Sequence, residues 1–199
     1  AYFDAVAGLP PRETLVAALE RFDSETPLST PRQAVDLGCG EGRDTIELLR
    51  RGWRVLSIDK QTEAIARLKL RVAEADFARL QTLVARYEDA EWPECDLVNA
   101  SFSIPHTDPS EFPDLWRKIA RSIRPGGRFA GQFFGVNDGW AAKPDGMTRT
   151  YHTRAQVEGM LKGFETEQLE EIERPGKTAL GEPKYWHVFH VVARKRAAD

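Results

Sequence analysis

Short apolar runs alternate with amphipathic stretches along most of this chain, and the periodicity switches between strand-like and helix-like at each boundary. Residues 14–22 place Leu15, Leu19 and Phe22 on one helical face, with Pro10 and Pro11 setting the start. Gln33–Leu37 is a short apolar strand, 43–51 a helix closed by Gly52, and 53–58 a second strand. The Ala-, Leu- and Arg-rich segment 63–77 predicts another helix, and 80–86 a third strand. Residues 96–101 form a fourth strand, apolar enough to lie centrally in a sheet. Residues 112–123 carry Leu115, Ile119 and Ile123 at helical spacing. Arg124-Pro125-Gly126-Gly127 breaks that helix ahead of a fifth strand over 128–134.

The alternation stops after Gly135. Residues 135–152 hold Gly, Asn, Asp, Trp and Pro without periodicity. A structureless loop beyond about 12–15 residues is generally a functional cover or disordered, so a mobile lid is expected here. A short helix over 153–161 precedes two closing strands, 164–173 and 185–195, with a long connection over 174–184. Strands alternating with helices make an α/β fold, and 199 residues suit a single domain over 1–199. Residues 1–30 read as an N-terminal helical cap on it.

Composition removes several classes. With 41% hydrophobic and 30% charged residues, the chain is globular rather than disordered. A net charge of −3 with both signs interspersed gives no basic face for nucleic acid and no polybasic membrane anchor, so neither partner is expected. Cys39 and Cys95 make no disulfide framework, and without a Cys-x-x-Cys or His cluster beside them no metal site is expected. No signal peptide or long apolar segment stands out, and a reducing cytoplasm is the expected compartment. The pattern leaves the oligomeric state open.

The chemistry concentrates in residues 34–42, Ala-Val-Asp-Leu-Gly-Cys-Gly-Glu-Gly. A strand runs into a glycine turn and a helix, and 21 residues past Gly38 the second strand ends in Asp59. This is the opening βαβ unit of a nucleoside-binding domain, in which a strand-end acid accepts from both ribose hydroxyls. Asp36 decides between ligands. A dinucleotide would bring its pyrophosphate to the next helix N-terminus, where this carboxylate repels it, whereas an ammonium and a sulfonium there would be attracted. Arg43 also stands where the dinucleotide pattern has its last glycine.

An acid followed by Gly-x-Gly-x-Gly resembles the first motif of class I S-adenosylmethionine-dependent methyltransferases. The Pro-Gly-Gly turn before the fifth strand and the closing strand pair are similar to that family too, so the resemblance covers almost the whole chain. The segment Phe134-Gly-Val-Asn-Asp-Gly-Trp140 is most similar to small soluble methyltransferases of the tellurite-resistance type. The resemblance implies a Rossmann-like, doubly wound, seven-stranded sheet, mostly parallel with an antiparallel C-terminal hairpin. It also implies S-adenosylmethionine as cofactor.

On that footing Asp36 sits near the cofactor's amino group, with an N-cap to the next helix as its structural alternative. Gly38 and Gly40 line the ligand with bare backbone, Cys39 belongs to the same turn, and Gly42 serves packing. Arg43 reaches the cofactor's carboxylate, bonds across the loop or is a plain surface arginine. Asp59 takes the ribose and Lys60 flanks the adenine. Tyr87 stacks on the base, while Glu88 or Asp89 accepts from its exocyclic amine, in place of the commoner Gly-Asp pair. Asn99 faces the methionyl end or the transfer site. In Asn99-Ala100-Ser101-Phe102 the prolines of the Asp/Asn-Pro-Pro-aromatic motif are missing, which argues against a nucleobase amine as acceptor.

His106 projects beyond the fourth strand, and an imidazole titrating near pH ~6.5 can take a proton from a hydroxyl or thiol. It is the candidate catalytic residue. Trp140, Tyr151 and His152 border the long loop and either line the acceptor pocket or pin the loop to the core. His187 and His190, on the last strand, read as structural. The expected function is methyl transfer to a small-molecule acceptor through oxygen, nitrogen, sulfur or a chalcogen oxyanion. The alternatives are a non-catalytic S-adenosylmethionine-binding regulatory protein and a dinucleotide-dependent oxidoreductase.

Overall fold

The computed structural model describes residues 2–25, 29–142 and 145–197. Strand β1 (Gln33–Leu37) buries its last four residues, as expected of a strand covered on both faces. It pairs in parallel with β2 (Arg54–Asp59) on one side and β4 (Cys95–Ala100) on the other. Beyond β2 lies β3 (Leu80–Val84), and beyond β4 lies β5 (Ile123–Gly135), both parallel. Then come β8 (Pro183–Lys195) and β7 (Phe164–Lys177), which are antiparallel. The order β3-β2-β1-β4-β5-β8-β7 holds the seven expected strands, and a two-residue strand, β6 (Tyr151–His152), pairs with the end of β5.

Alternate residues along the strands feed two cores. Ala34, Val55, Leu97, Ala130 and Val192 face α2 (Glu13–Asp23), α3 (Arg43–Arg50) and α4 (Thr62–Arg71) through Leu15, Leu19, Leu48 and Leu68. Val35, Val98, Phe129, Phe133 and Val191 face α5 (Phe112–Ser122) and α7 (Arg154–Met160). Helix α7 opens with a reciprocal capping box between Thr153 and Gln156. Helices α1 (Tyr2–Val6) and α2 form the N-terminal cap expected over 1–30, of which residues 1 and 26–28 lie outside the described residues. No described helix is long and apolar enough to cross a membrane.

Three expectations need correction. The helix expected over 63–77 ends at Arg71, where Val72 turns extended and buries its side chain. A 3₁₀ turn, Glu74–Arg79, then brings the chain into β3, so docking beside β2 overrides helix propensity. The long connection expected over 174–184 is shorter: the β7–β8 ladder runs from Phe164↔Lys195 to Lys177↔Pro183, leaving a turn over 178–182. The third correction is the segment 135–152. It is not structureless, since it carries α6 (Gly139–Ala142) and β6, with residues 143–144 outside the described residues. Asp138, Arg149, Thr150 and His152 are buried in it.

Two glycines of the turn have steric reasons. Gly38 sits at φ 70°, and a Cβ there would lie 2.5 Å from Ser103 Cβ. Gly42, at φ 90°, packs so closely on Leu68 of α4 that no side chain fits, which is the packing role expected of it.

Candidate functional site

The strand order reverses between β1 and β4, and a parallel sheet opens a crevice outside the carboxyl ends of the strands at that point. Asp36 lies there opposite Asn99, and both are buried. Asp36 accepts from Thr45 Oγ1 at 2.6 Å and from Asn99 Nδ2 at 2.9 Å. Asn99 Nδ2 also donates to Asp44 Oδ2 at 3.0 Å, and Ser101 Oγ donates to the same oxygen at 2.5 Å. Asp44 Oδ1 accepts from the Arg12 backbone N–H. Burial first, then the charge of Asp44, push the Asp36 carboxyl up to about 7. Asn99 is thus a brace between two carboxylates, fully shielded, instead of facing a ligand as expected.

Asp59 ends β2 with its carboxylate on the glycine turn. Its Oδ2 accepts from Gly40 N–H at 3.0 Å and its Oδ1 from Gln61 N–H at 2.9 Å. Each oxygen keeps a lone pair free for a ligand hydroxyl. Tyr87 lies beside Gly38 and donates to the Ser103 carbonyl at 2.7 Å. Ser103 Oγ is buried without a hydrogen-bond partner among the described residues and faces the same glycine. Glu88 is half-buried near Arg86, and Lys60 is exposed. Cys39 turns its thiol into the α-helical core, and burial raises that thiol, so only its backbone reaches the crevice. Arg43 Nε donates to the Pro10 carbonyl, which is the cross-loop alternative and ties the cap to the turn.

Beyond the acids the site becomes aromatic. Phe134, buried at the end of β5, touches the rings of Phe102, His106, Trp140, Tyr151 and Trp186, all half-buried. Lys184 Nζ lies 3.3 Å from the Trp186 centroid and 3.7 Å from that of Trp140, and pairs with the buried Asp138 at 2.7 Å. The Arg149 guanidinium lies 4.0 Å over Trp140 and pairs with Asp145. Burial, then the charges of Arg149, Lys60 and Lys184, push the His106 imidazole down to about 4, so it is neutral at pH 7. Its buried Nδ1 has no hydrogen-bond partner among the described residues. A base that holds a proton so weakly is better suited to orienting an acceptor than to deprotonating one. His152 leaves the group: it packs between Phe112 and Phe133 on the opposite face of β5.

The segment over this cluster is tied down at both ends. Asn137 N–H donates to His187 Nδ1, Thr150 N–H to the Pro105 carbonyl and Thr150 Oγ1 to the Thr107 carbonyl. These contacts fix the two ends of the segment expected to act as a lid. Glu171, Glu173 and His187 also cluster within metal-ligand reach. His187 Nδ1 already accepts from a backbone N–H, so the neutral ring carries its proton on Nε2, 3.0 Å from Glu171 Oε1. That nitrogen has no lone pair to give a metal.

Sequence reasoning passed over Asp44, Ser103, Arg12, Lys184 and Trp186. Asp44 had a usable signal, an acid in the first turn of the helix that follows the glycine motif. Lys184 had none, because it lies in what reads as a connection.

The donor set suits a ligand with a ribose and a positive charge. Asp36, Asp44 and Asp59 are buried side by side, and none is in a salt bridge among the described residues. The orphaned Ser103 hydroxyl lies alongside.

Residues 34–127 match the family described as a methyltransferase domain. An uncharacterized methyltransferase of Synechocystis sp., sll0829, is 27% identical over 103 residues, which cover 52% of this chain and 47% of that protein. The matched region thus spans about half the length of the curated relatives. Among solved structures, TehB from Haemophilus influenzae superposes with a TM-score of 0.76 at 18% identity, covering 98% of this chain and 66% of that one. The 1,6-didemethyltoxoflavin-N1-methyltransferase of Burkholderia thailandensis, solved with its acceptor and S-adenosylhomocysteine, gives 0.67 at 20% identity, covering 94% and 78%. With the glycine turn, its flanking acids and the strand order, these similarities show the fold of class I S-adenosylmethionine-dependent methyltransferases, with a methyltransferase-domain match over residues 34–127.

Proposed function

We propose that this chain transfers a methyl group from S-adenosylmethionine to a small acceptor held against the Phe134 aromatic cluster. The observation that carries this reading is the set of three buried acids, none in a salt bridge among the described residues, next to a turn built of positive-φ glycines. Buried carboxylates are costly unless something positive compensates them, and the cofactor brings an ammonium and a sulfonium. Asp59 would hold the ribose, Tyr87 and Glu88 the base, and Asp36 with Asp44 the methionyl ammonium. When bound, the cofactor supplies an activated methyl group, which passes to an acceptor lone pair while sulfur keeps the electron pair of the broken C–S bond.

The protein's part is then to orient the partners and exclude water. Alignment alone is worth up to about 7–11 kcal/mol. Trp140 and the anchored segment around it cover the acceptor side, and His106 presents its unpartnered Nδ1 there. The acceptor atom is oxygen, nitrogen, sulfur or a chalcogen oxyanion, and the cytoplasm is the proposed compartment. Formation of S-adenosylhomocysteine that depends on an added acceptor tests the reading, and cofactor binding without any such turnover contradicts it.

Trp140→Ala separates the cover from a plain anchor. The expected result is cofactor affinity within about twofold of the parent, a modest fall in Tm, and at least a tenfold loss of turnover, since water then reaches the acceptor. A large Tm loss with a proportionate fall in cofactor affinity would assign Trp140 to the core instead.

A further inference from the structure

We infer that the acceptor of this domain is a planar aromatic anion, its ring held in the cluster around Phe134 and its negative group taken by Arg12. This rests on the methyltransferase reading and gives its acceptor a chemical class.

The ring half of the inference comes from burial. On one face of β5, Phe129 and Phe133 are wholly buried, as core aromatics are. On the other, five rings converge on Phe134 and each is only partly buried, at the end of the strand next to the acid network. Partly exposed aromatic surface gathered in one place marks a binding surface rather than a core. Phe102 belongs to it at a conformational cost, since it is the only non-glycine described with positive φ, at 53°. Its N–H is held by Gln132 Oε1 at 2.8 Å, and Ser101 beside it bonds Asp44. Strain of this kind persists where the surroundings impose it, often at ligand sites.

The charge half comes from what already occupies the rings. Aromatic faces attract cations, but here Lys184 and Arg149 hold the faces of Trp140 and Trp186, so a cationic acceptor meets repulsion. Lys184 and Arg149 are themselves neutralised by Asp138 and Asp145. Arg12 is not. Its guanidinium lies 4.5 Å over Phe102 and has no hydrogen-bond or ion-pair partner among the described residues. Burial and the nearby Arg43 disfavour its charge, against the smaller favourable effect of Asp44, Tyr2 and Glu41. A stacked guanidinium with free donors is matched to a carboxylate or phenolate. An anionic acceptor also arrives with its lone pair available, consistent with a His106 that holds protons weakly.

Calorimetry with defined probes tests both halves. Salicylate, its neutral amide salicylamide, cyclohexanecarboxylate, benzylamine and selenite are each titrated into the free protein and into its S-adenosylhomocysteine complex. Salicylate should bind at least tenfold more tightly than salicylamide and than cyclohexanecarboxylate, with benzylamine and selenite silent. Arg12→Gln should erase the advantage of salicylate over salicylamide, while S-adenosylhomocysteine affinity and Tm stay near the parent values. Equal binding of salicylate and salicylamide, a preference for cyclohexanecarboxylate, selenite or benzylamine, or no binding of salicylate overturns the inference. So does a loss of S-adenosylhomocysteine affinity in Arg12→Gln with the probe preference intact, because Arg12 then serves the cofactor. Failure of S-adenosylhomocysteine to bind the parent protein counts against the methyltransferase reading, and the probes titrated into free protein still answer for the aromatic site.

Discussion

Asp36→Asn is expected to make the ligand-free protein more stable above neutral pH while weakening S-adenosylmethionine binding roughly thirtyfold or more. Burial and Asp44 raise the Asp36 carboxyl in the folded chain well above its unfolded value. The folded state therefore binds a proton that the unfolded chain has released, and stability from this group falls as pH rises from about 4 to about 7. Asparagine has no charge to bury, and the gain should appear as about 2–4 °C in Tm per kcal/mol relieved in a domain of this size. The binding loss follows because truncating one side of a buried charge pair commonly costs about 2–5 kcal/mol. For the parent protein, a cationic ligand should draw the proton off Asp36, so its affinity should rise with pH up to about 7 and then level off. Thermal scans and calorimetry at several pH values check each part. A variant less stable than the parent at pH 8, with undiminished cofactor affinity, would contradict both.

Asp59→Ala should cost cofactor affinity tenfold or more. Two charge-assisted bonds to ribose hydroxyls would disappear, each worth roughly 1.5–3 kcal/mol. The carboxylate also accepts from Gly40 and Gln61 N–H groups. The substitution should therefore lower Tm as well, by loosening the glycine turn. Calorimetry against S-adenosylhomocysteine on folded variant reads the effect, and unchanged affinity would mean that the ribose is held elsewhere.

Much of this architecture is legible in the sequence because local signals and tertiary structure agree there. β1 occupies the residues its apolar run marks, and Asp36, Gly38 and Asp59 lie at the reversal of strand order because motif and strand ends are adjacent in the chain. Legibility fails where distant segments decide. Helix propensity continues past Arg71, yet the chain turns to dock β3 against β2. Residues 174–184 look like a loop, with Pro175, Gly176 and Pro183, but 174–177 of β7 pair with 183–186 of β8 around a turn over 178–182. The proposed acceptor side is the least legible part. Its rings come from Phe102, Trp140, Tyr151 and Trp186, and its cations from Arg12, Arg149 and Lys184. No spacing rule connects residues so far apart in sequence. Depth misleads too: Asn99 and Cys39 occupy motif positions, yet one braces two acids and the other packs in the core.

The central claim is that the glycine turn and its acids bind S-adenosylmethionine rather than a dinucleotide. Titration calorimetry of the parent protein with S-adenosylmethionine, S-adenosylhomocysteine and NAD tests it most directly. Saturable binding of the first two, with NAD silent, is the expected result, because Asp36 and Asp44 attract an ammonium and repel a pyrophosphate. Binding of NAD with comparable affinity, or no binding of S-adenosylmethionine, would contradict it.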